Sequence, residues 1–407
     1  MPRHLSLQFE DHFMPYPMKS LLSLMFFMVA LSGFGQAIGS LNFNYLYNPQ
    51  NEVDLQLKLV KGQNQIKIYY SLQVATVQFT TESCSITWQR LNSFSQREGT
   101  DITPEEIETP IIVDGKKTGV ITFPIPDKPW LLAAKVAHVA TSKNWVYFKT
   151  IEANYPVTGY LTGPNGMISK PYLSSKNEYT IQGSGSGKSL RVSFYKDIFN
   201  PGSPPFVESE SPVDRFLFHD STFTMQDEAK IKFNSLGLYL LQEDTTGAEG
   251  FAFRSSTEAF PKYTRVEDLV NPLIYVCTKE EFTELKNSKG DKAKFDKVIL
   301  DITRDKDRAR SFIRNYFRNV ELANLYFSSY KEGWKTDRGM IYLIFGIPDE
   351  VTKTGQQETW SYKSSRLKFS FVKTGSVYDP DYYVLIREKR FTETWFSTID
   401  LWRKSRF

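Results

Sequence analysis

Few side chains in this 407-residue sequence could make or break bonds. The clustered charged candidates are Asp337, Arg338 and Asp349. General acid–base catalysis needs paired carboxylates at a set separation, and covalent catalysis needs a nucleophile, a base and an orienting partner. The sequence around these three supplies neither pattern. Of the 4 His, only His138 and His219 lie beyond residue 12, and neither has metal-ligand spacing. His138 sits in a strand-like run with Val136 and Val139, and His219-Asp220 reads as a strand end. Asp337-Arg338 reads as a turn with a structural ion pair. The sequence therefore assigns no catalytic residue, no metal ligand and no cofactor.

One run imitates a phosphate-binding loop: Gly183-Ser184-Gly185-Ser186-Gly187-Lys188-Ser189. The spacing puts Gln182 where the first glycine belongs. The loop would also have to open a helix whose N-terminal amides hold phosphate. Instead Leu190, Val192 and Phe194 alternate with Arg191, Ser193 and Tyr195, a strand, so the run reads as a hairpin turn and no nucleotide is expected.

The elements that hold these residues begin after an address. Met18-Lys19 opens a basic stretch, Leu21 to Phe34 is almost wholly apolar, and Gly35-Gln36-Ala37 offers small residues for cleavage. A run this short, with these flanks, reads as a secretory signal over residues 1–37 rather than a spanning helix. Glu10 and Asp11 are foreign to such a leader, which makes Met18 the better start. No later run is long enough to span, so the mature chain is expected to be exported. Two cysteines, Cys84 and Cys277, exclude a disulfide scaffold. A net charge of +4 is too small to argue for nucleic acid.

Three parts follow: residues 38–153, 154–262 and 263–407. In the first, Val53, Leu55, Leu57 and Leu59 alternate with polar residues, Lys61-Gly62-Gln63-Asn64 turns, and Ile66, Ile68, Tyr70, Leu72 and Val74 alternate again. That is a hairpin with one buried face. Short strands around Cys84-Ile86-Trp88, Val120-Thr122 and Trp145-Tyr147, with an Asp114-Gly115 turn, extend the pattern to a β-sandwich of immunoglobulin-like type. The second part repeats it, with turns at Gly163–Gly166 and Pro201–Pro205 and strands at Leu190–Tyr195, Ala229–Phe233 and Gly237–Leu241. The fold class is multidomain: two N-terminal all-β immunoglobulin-like sandwiches, then a C-terminal α+β domain of helices packed on an antiparallel sheet.

In that third part Thr278-Lys279-Glu280-Glu281 is a capping box, with Cys277 and Phe282 placed as a staple. Ala309, Phe312, Ile313, Tyr316, Phe317, Val320, Ala323 and Phe327 step by three and four, an apolar helical stripe. Gly333 then suits a left-handed cap, Thr336, Asp337 and Gly339 form a turn, and Met340–Phe345 reads as a central strand. Strands follow at Glu358–Tyr362, Leu367–Phe371 and Tyr382–Ile386, and Thr398–Trp402 alternates briefly before a basic tail.

Gly333, Trp334, Thr336 and Asp337 spell the signature of the GWxTD domain, which this part resembles. The match continues through Arg338 and Gly339, Gly346, Pro348 and Asp349, and then Trp360 and Tyr362, over roughly residues 265–390. The resemblance implies an exported cell-envelope protein of Bacteroidota-type or related bacteria, in the periplasm or at the outer membrane of a Gram-negative envelope. It implies no reaction.

Function is therefore expected to be non-enzymatic: protein–protein interaction with envelope partners, in outer-membrane assembly or secretion. Abundant aromatics, including Trp395, Phe396 and Trp402, suit interface cores. The alternative is a carbohydrate- or peptidoglycan-binding periplasmic protein presenting Trp88 or Trp145 to sugar rings. A periplasmic hydrolase ranks third, and would need a pocket joining Asp337 or Asp349 to another acid.

Overall fold

The computed structural model describes residues 36–406, apart from 75–79, 104–105, 108–109, 114, 139, 184–186 and 208–216. The signal segment, save Gln36 and Ala37, lies outside the described residues, as do Asp114 and Ser184–Ser186. The chain is mostly β-sheet, with the α-helices of the described residues confined to its C-terminal part.

The first part holds β1 (Val53–Lys61), β2 (Gln65–Val74), β3 (Cys84–Leu91), β4 (Thr100–Asp101), β5 (Glu106–Ile107), β6 (Ile111–Val113), β7 (Lys116–Pro124), β8 (Trp130–His138) and β9 (Lys143–Ile151). One sheet runs β1-β2-β7, with β5 and β6 both on the far side of β7; the other runs β4-β3-β8-β9. The β1–β2 hairpin pairs Val53 with Val74 and Lys61 with Ile66, the register its alternation dictates. Leu55, Leu59, Ile66, Ile68 and Leu72 pack in one core with Trp88, Leu132, Val136, Trp145 and Tyr147 from the other sheet. Cys84 and His138 are buried here, and both cysteines are free thiols. Ile38 packs with Leu91, Leu131 and Ala133 on the opposite face of β3 and β8. That is why β8 opens as Trp-Leu-Leu-Ala-Ala, apolar on both faces, without alternation.

The second part holds β10 (Tyr160–Gly163), β11 (Gly166–Met167), β12 (Tyr172–Ser174), β13 (Tyr179–Gln182), β14 (Ser189–Lys196), β15 (Ser221–Gln226), β16 (Lys230–Ile231), β17 (Gly237–Gln242) and β18 (Phe251–Ser256). Its sheets run β11-β10-β13-β16 and β12-β18-β17-β14-β15. The glycine-rich run is not a hairpin turn. It leads from β13 in one sheet to β14 in the other. The strand expected over Ala229–Phe233 shrinks to Lys230–Ile231. Every residue of β17 is buried, because Tyr239 and Leu241 face this part's own core while Leu238 and Leu240 meet Tyr330 and Tyr382 of the third part.

The third part holds α1 (Val266–Val270), α2 (Lys279–Asn287), α3 (Lys292–Thr303), α4 (Lys306–Phe327), α5 (Asp337–Phe345), β19 (Glu350–Thr354), β20 (Gln357–Tyr362), β21 (Leu367–Lys373), β22 (Tyr383–Leu385) and α6 (Thr392–Arg403). The four strands form an antiparallel meander. Thr278 and Glu281 make the reciprocal capping box at α2, while Asp291 and Asp305 cap α3 and α4.

Two expectations fail here. Met340–Phe345 is not a strand but most of α5. Thr336 supplies its N-cap, and Met340 to Ile344 are all fully buried, so no polar face marks the helical period. A short apolar run without periodicity fits a central strand and a core helix equally well. Thr398–Trp402, read as brief alternation leading into a basic aromatic tail, lies in α6, where Trp395, Ile399 and Trp402 turn inward at helical spacing.

Candidate functional site

The signature occupies the link between α4 and α5, and its residues face inward. Gly333 lies in a short 3-10 turn (Gly333–Lys335) rather than a left-handed cap. A Cβ there would sit 2.0 Å from the Ala323 carbonyl oxygen, and one on Gly339 would sit 1.8 Å from that of Gly333. Glycine is required at both for close backbone approach, not for dihedral freedom. The Thr336 hydroxyl accepts from the Gly339 amide at 3.0 Å and donates to the Gly333 carbonyl at 2.7 Å. One side chain, Thr336, thus caps the helix and closes the turn.

Trp334 is 2% exposed and edges onto Tyr275. Its indole N–H donates to the Tyr263 hydroxyl at 2.9 Å, and its amide donates to Asn324 Oδ1 at 3.2 Å. The Tyr263 hydroxyl donates in turn to Glu332.

Asp337 and Arg338 are ion-paired, but not to each other. Asp337 accepts two bonds from Arg387, at 2.6 and 3.1 Å, and one from the Leu385 amide at 2.8 Å. Arg387 also donates to the Ser203 carbonyl at 3.1 Å, and the Gly202 amide donates to the Lys335 carbonyl at 2.8 Å. The Pro201–Pro205 turn of the second part therefore lies over the signature. A Cβ on Gly202 would meet Asp337 Oδ1 at 2.7 Å. Beside it, Asp197 pairs with the buried Arg254 of β18 and with Lys335 at 3.3 Å.

Arg338 reaches the opposite side. It stacks over Tyr383 at 4.3 Å, donates to the Tyr47 hydroxyl at 3.2 Å, and lies 3.7 Å from Glu358. Glu358 is fully buried in β20, where it accepts from Tyr47 at 2.7 Å and from Trp360 Nε1 at 2.8 Å, and pairs with Lys353. Burial alone would raise its carboxyl, but Lys353 and Arg338 outweigh it and hold the pKa at about 2.

Tyr47 arrives from the far N-terminal side. Residues 38–47 run along the free edge of β19: the Phe43 amide donates to the Val351 carbonyl at 2.8 Å, and the Val351 amide donates to Asn42 Oδ1 at 3.0 Å. Phe43 and Tyr47 belong to the third part's core. The strap covers a sheet edge that would otherwise be open to pairing.

The remaining signature residues shape the sheet. Gly346 turns with φ of 76°, and its carbonyl accepts from the Tyr362 hydroxyl at 2.9 Å. Pro348 is buried. Asp349 is exposed, and its carboxylate accepts from the Lys363 amide at 2.6 Å. Trp360 and Tyr362 lie in the core. No signature residue lines the cavities of about 330, 580, 180 and 720 Å³ found elsewhere on the chain. Among the described residues no three His, Cys, Asp or Glu side chains group as a metal site would require, and no helix is long and apolar enough to cross a membrane.

Trp88 and Trp145, the candidates for sugar stacking, point into the first core. Sequence reasoning missed Arg387, Tyr47 and Asp197, which come from distant segments. Glu358 was more legible: it shares the buried face of β20 with Trp360 and Tyr362, and an acid at such a position demands a cation.

No curated protein matches the sequence. Among solved structures, a chimeric titin Z1Z2-Z1Z2 tandem carrying an exogenous fibronectin peptide is similar at 13% identity. It spans 50% of this chain and 96% of its own, with a TM-score of 0.18. The family model described as the GWxTD domain matches residues 237–404, from the first residue of β17 into the tail after α6. The segment that matches the GWxTD family model, residues 237–404, is thus the one that locks Trp334 and Asp337 into its core.

Proposed function

We propose that this is a non-catalytic cell-envelope protein, exported by the leader ending near Ala37, which acts by docking a protein partner on its first β part. In this reading both β parts are immunoglobulin-like modules. The signature locks them to the C-terminal domain, so that they present a surface at a fixed angle. The carrying observation is β6. Ile111, Ile112 and Val113 are 64%, 42% and 60% exposed, and β6 pairs with β7 alone among the described residues. Ile111 and Val113 border the 720 Å³ groove, which Tyr69, Val120 and Met167 also line. An exposed apolar edge strand is a template for an added strand from another chain. The full satisfaction of Asp337 and Arg338 by internal partners supports a binding role over a hydrolytic one.

The test places a photo-crosslinker at Ile111 or Val113 of the purified chain and exposes it to envelope extract. The expected result is one adduct whose crosslink maps to an extended segment of the partner and which Ile112→Pro abolishes. Equal labelling from the surface position Lys289 would overturn the reading.

A further inference from the structure

The cations of α4 and of the tail after α6 gather at one corner of the C-terminal part. Residues 304–318 carry six Lys or Arg against two acids, and residues 403–406 add three more and no acid. The fold joins the two segments. Tyr316 meets Trp402 edge-on at 5.3 Å, and the Ser405 hydroxyl donates to the Arg308 carbonyl at 2.8 Å. Arg304 belongs to the same corner. Hydrogen bonds from Arg403 outweigh burial and hold the Glu281 carboxyl below its ordinary range, and the charge of Arg304 adds to them. Arg403 is partly buried, and the other cations of the two segments are exposed.

The nearby acids are largely in use. Arg403 pairs with Glu281, Arg310 with Asp307, Arg318 with Glu321 and Lys404 with Asp400, while Asp305 caps α4. That leaves a surplus at Arg304, Lys306, Arg308, Arg314 and Arg406, of which Asp301, exposed one turn before Arg304, offsets one charge. The surplus is also placed against the helix. Arg310, Arg314 and Arg318 stand four apart, so like charges adjoin along one flank. Lys306 and Arg308 lie in the first turn of α4, where the helix dipole favours acids. These cations border none of the four cavities, so they meet a broad surface rather than an enclosed small molecule. Leu401 is 41% exposed beside them, its carbonyl accepting from the Arg406 amide at 3.0 Å.

We propose that this corner binds the surface of a phospholipid bilayer bearing anionic headgroups. The guanidinium forks match headgroup phosphates, and Leu401 enters the interfacial layer. Each cation adds to binding, and salt weakens the sum. Lipid is favoured over nucleic acid by the exposed leucine, and in part by the exported reading proposed above, on which that choice rests.

The test floats the purified chain with phosphatidylcholine vesicles, with and without phosphatidylglycerol, at low and high sodium chloride. One variant neutralises the corner (Arg308→Gln, Arg314→Gln and Arg406→Gln). A control neutralises three exposed lysines of the β parts (Lys128→Gln, Lys135→Gln and Lys232→Gln). The expected binding needs phosphatidylglycerol and falls with salt. It is weakened at least about tenfold in the corner variant, is unchanged in the control, and is reduced by Leu401→Ser. Without vesicles the corner variant should melt no lower than the parent, since Arg308 and Arg314 oppose the helix. No binding, equal binding without phosphatidylglycerol, equal loss in the control, or a lower Tm in the corner variant would overturn the proposal. Tighter binding of a DNA duplex than of the vesicles would overturn it too and count against export, while leaving the β6 crosslink unaffected.

Discussion

Asp337 and Arg387 meet in a two-point carboxylate–guanidinium pair across 50 residues of sequence, with the Ser203 carbonyl on the arginine's other side. The acidic residue of the signature is therefore a tie between the α4–α5 link, the segment after β22 and the turn from the second β part.

Breaking that tie from one end should be expensive. Asp337→Asn leaves the Arg387 cation largely buried without its partner, at an expected cost of about 3–5 kcal/mol. Urea unfolding checks this. Arg387→Gln should cost a similar amount, and the double variant should cost much less than their sum. Additive losses would mean the two side chains act independently.

Trp334→Ala removes a core aromatic and takes from the buried Tyr263 hydroxyl the hydrogen bond it accepts, for an expected loss of roughly 3–5 kcal/mol. Gly339→Ala should be comparably damaging despite adding one methyl, because the new carbon meets the Gly333 carbonyl oxygen. Melting temperature reads both, and an unchanged value in either would contradict the packing described.

The strap makes its own prediction. Tyr47→Phe deletes the hydroxyl shared by Glu358 and Arg338, at a cost of about 1–3 kcal/mol because both partners stay buried. Truncation to Asn48 should also uncover β19 and raise the tendency to self-associate, measurable by light scattering.

Glu358 predicts an acid limb. Its folded pKa lies near 2, below the ordinary 4.5, so the unfolded chain binds more protons between those values. Its stabilisation is complete above about pH 4.5 and is lost as pH falls toward 2. Glu358→Gln should flatten that limb in a series of urea midpoints against pH, while lowering stability at neutral pH.

Lys58 predicts the opposite limb. Its folded pKa is about 8 against an ordinary 10.5, so its penalty is full below pH 8 and is relieved as pH climbs toward 10.5. Lys58 borders the cavity of about 180 Å³, which Lys149, Tyr155, Asp379 and Asp381 also line, and each of these is buried or paired. The parent should gain up to roughly 3 kcal/mol relative to Lys58→Met across that window. A constant difference would remove the burial assigned to Lys58.

Local pattern determined much of this protein. Alternation in β1 and β2, the capping box at Thr278 and the stripe of α4 follow from single elements, whose periods and caps are written in neighbouring residues. The signature was equally plain as a string, and so was the resemblance to the GWxTD family that the match over residues 237–404 bears out. Tertiary structure alone decided what the string does. Met340–Phe345 became a helix because burial on every side erased its period. Gly333 and Gly339 are required by backbones that meet only after α4 and α5 pack. Arg387, Ser203 and Tyr47 find Asp337 and Arg338 across long stretches of chain, and the lysines lining the cavity of about 330 Å³ come from all three parts. Charge pairing and close packing depend on distance in space, which sequence spacing does not encode beyond a turn or a strand pair.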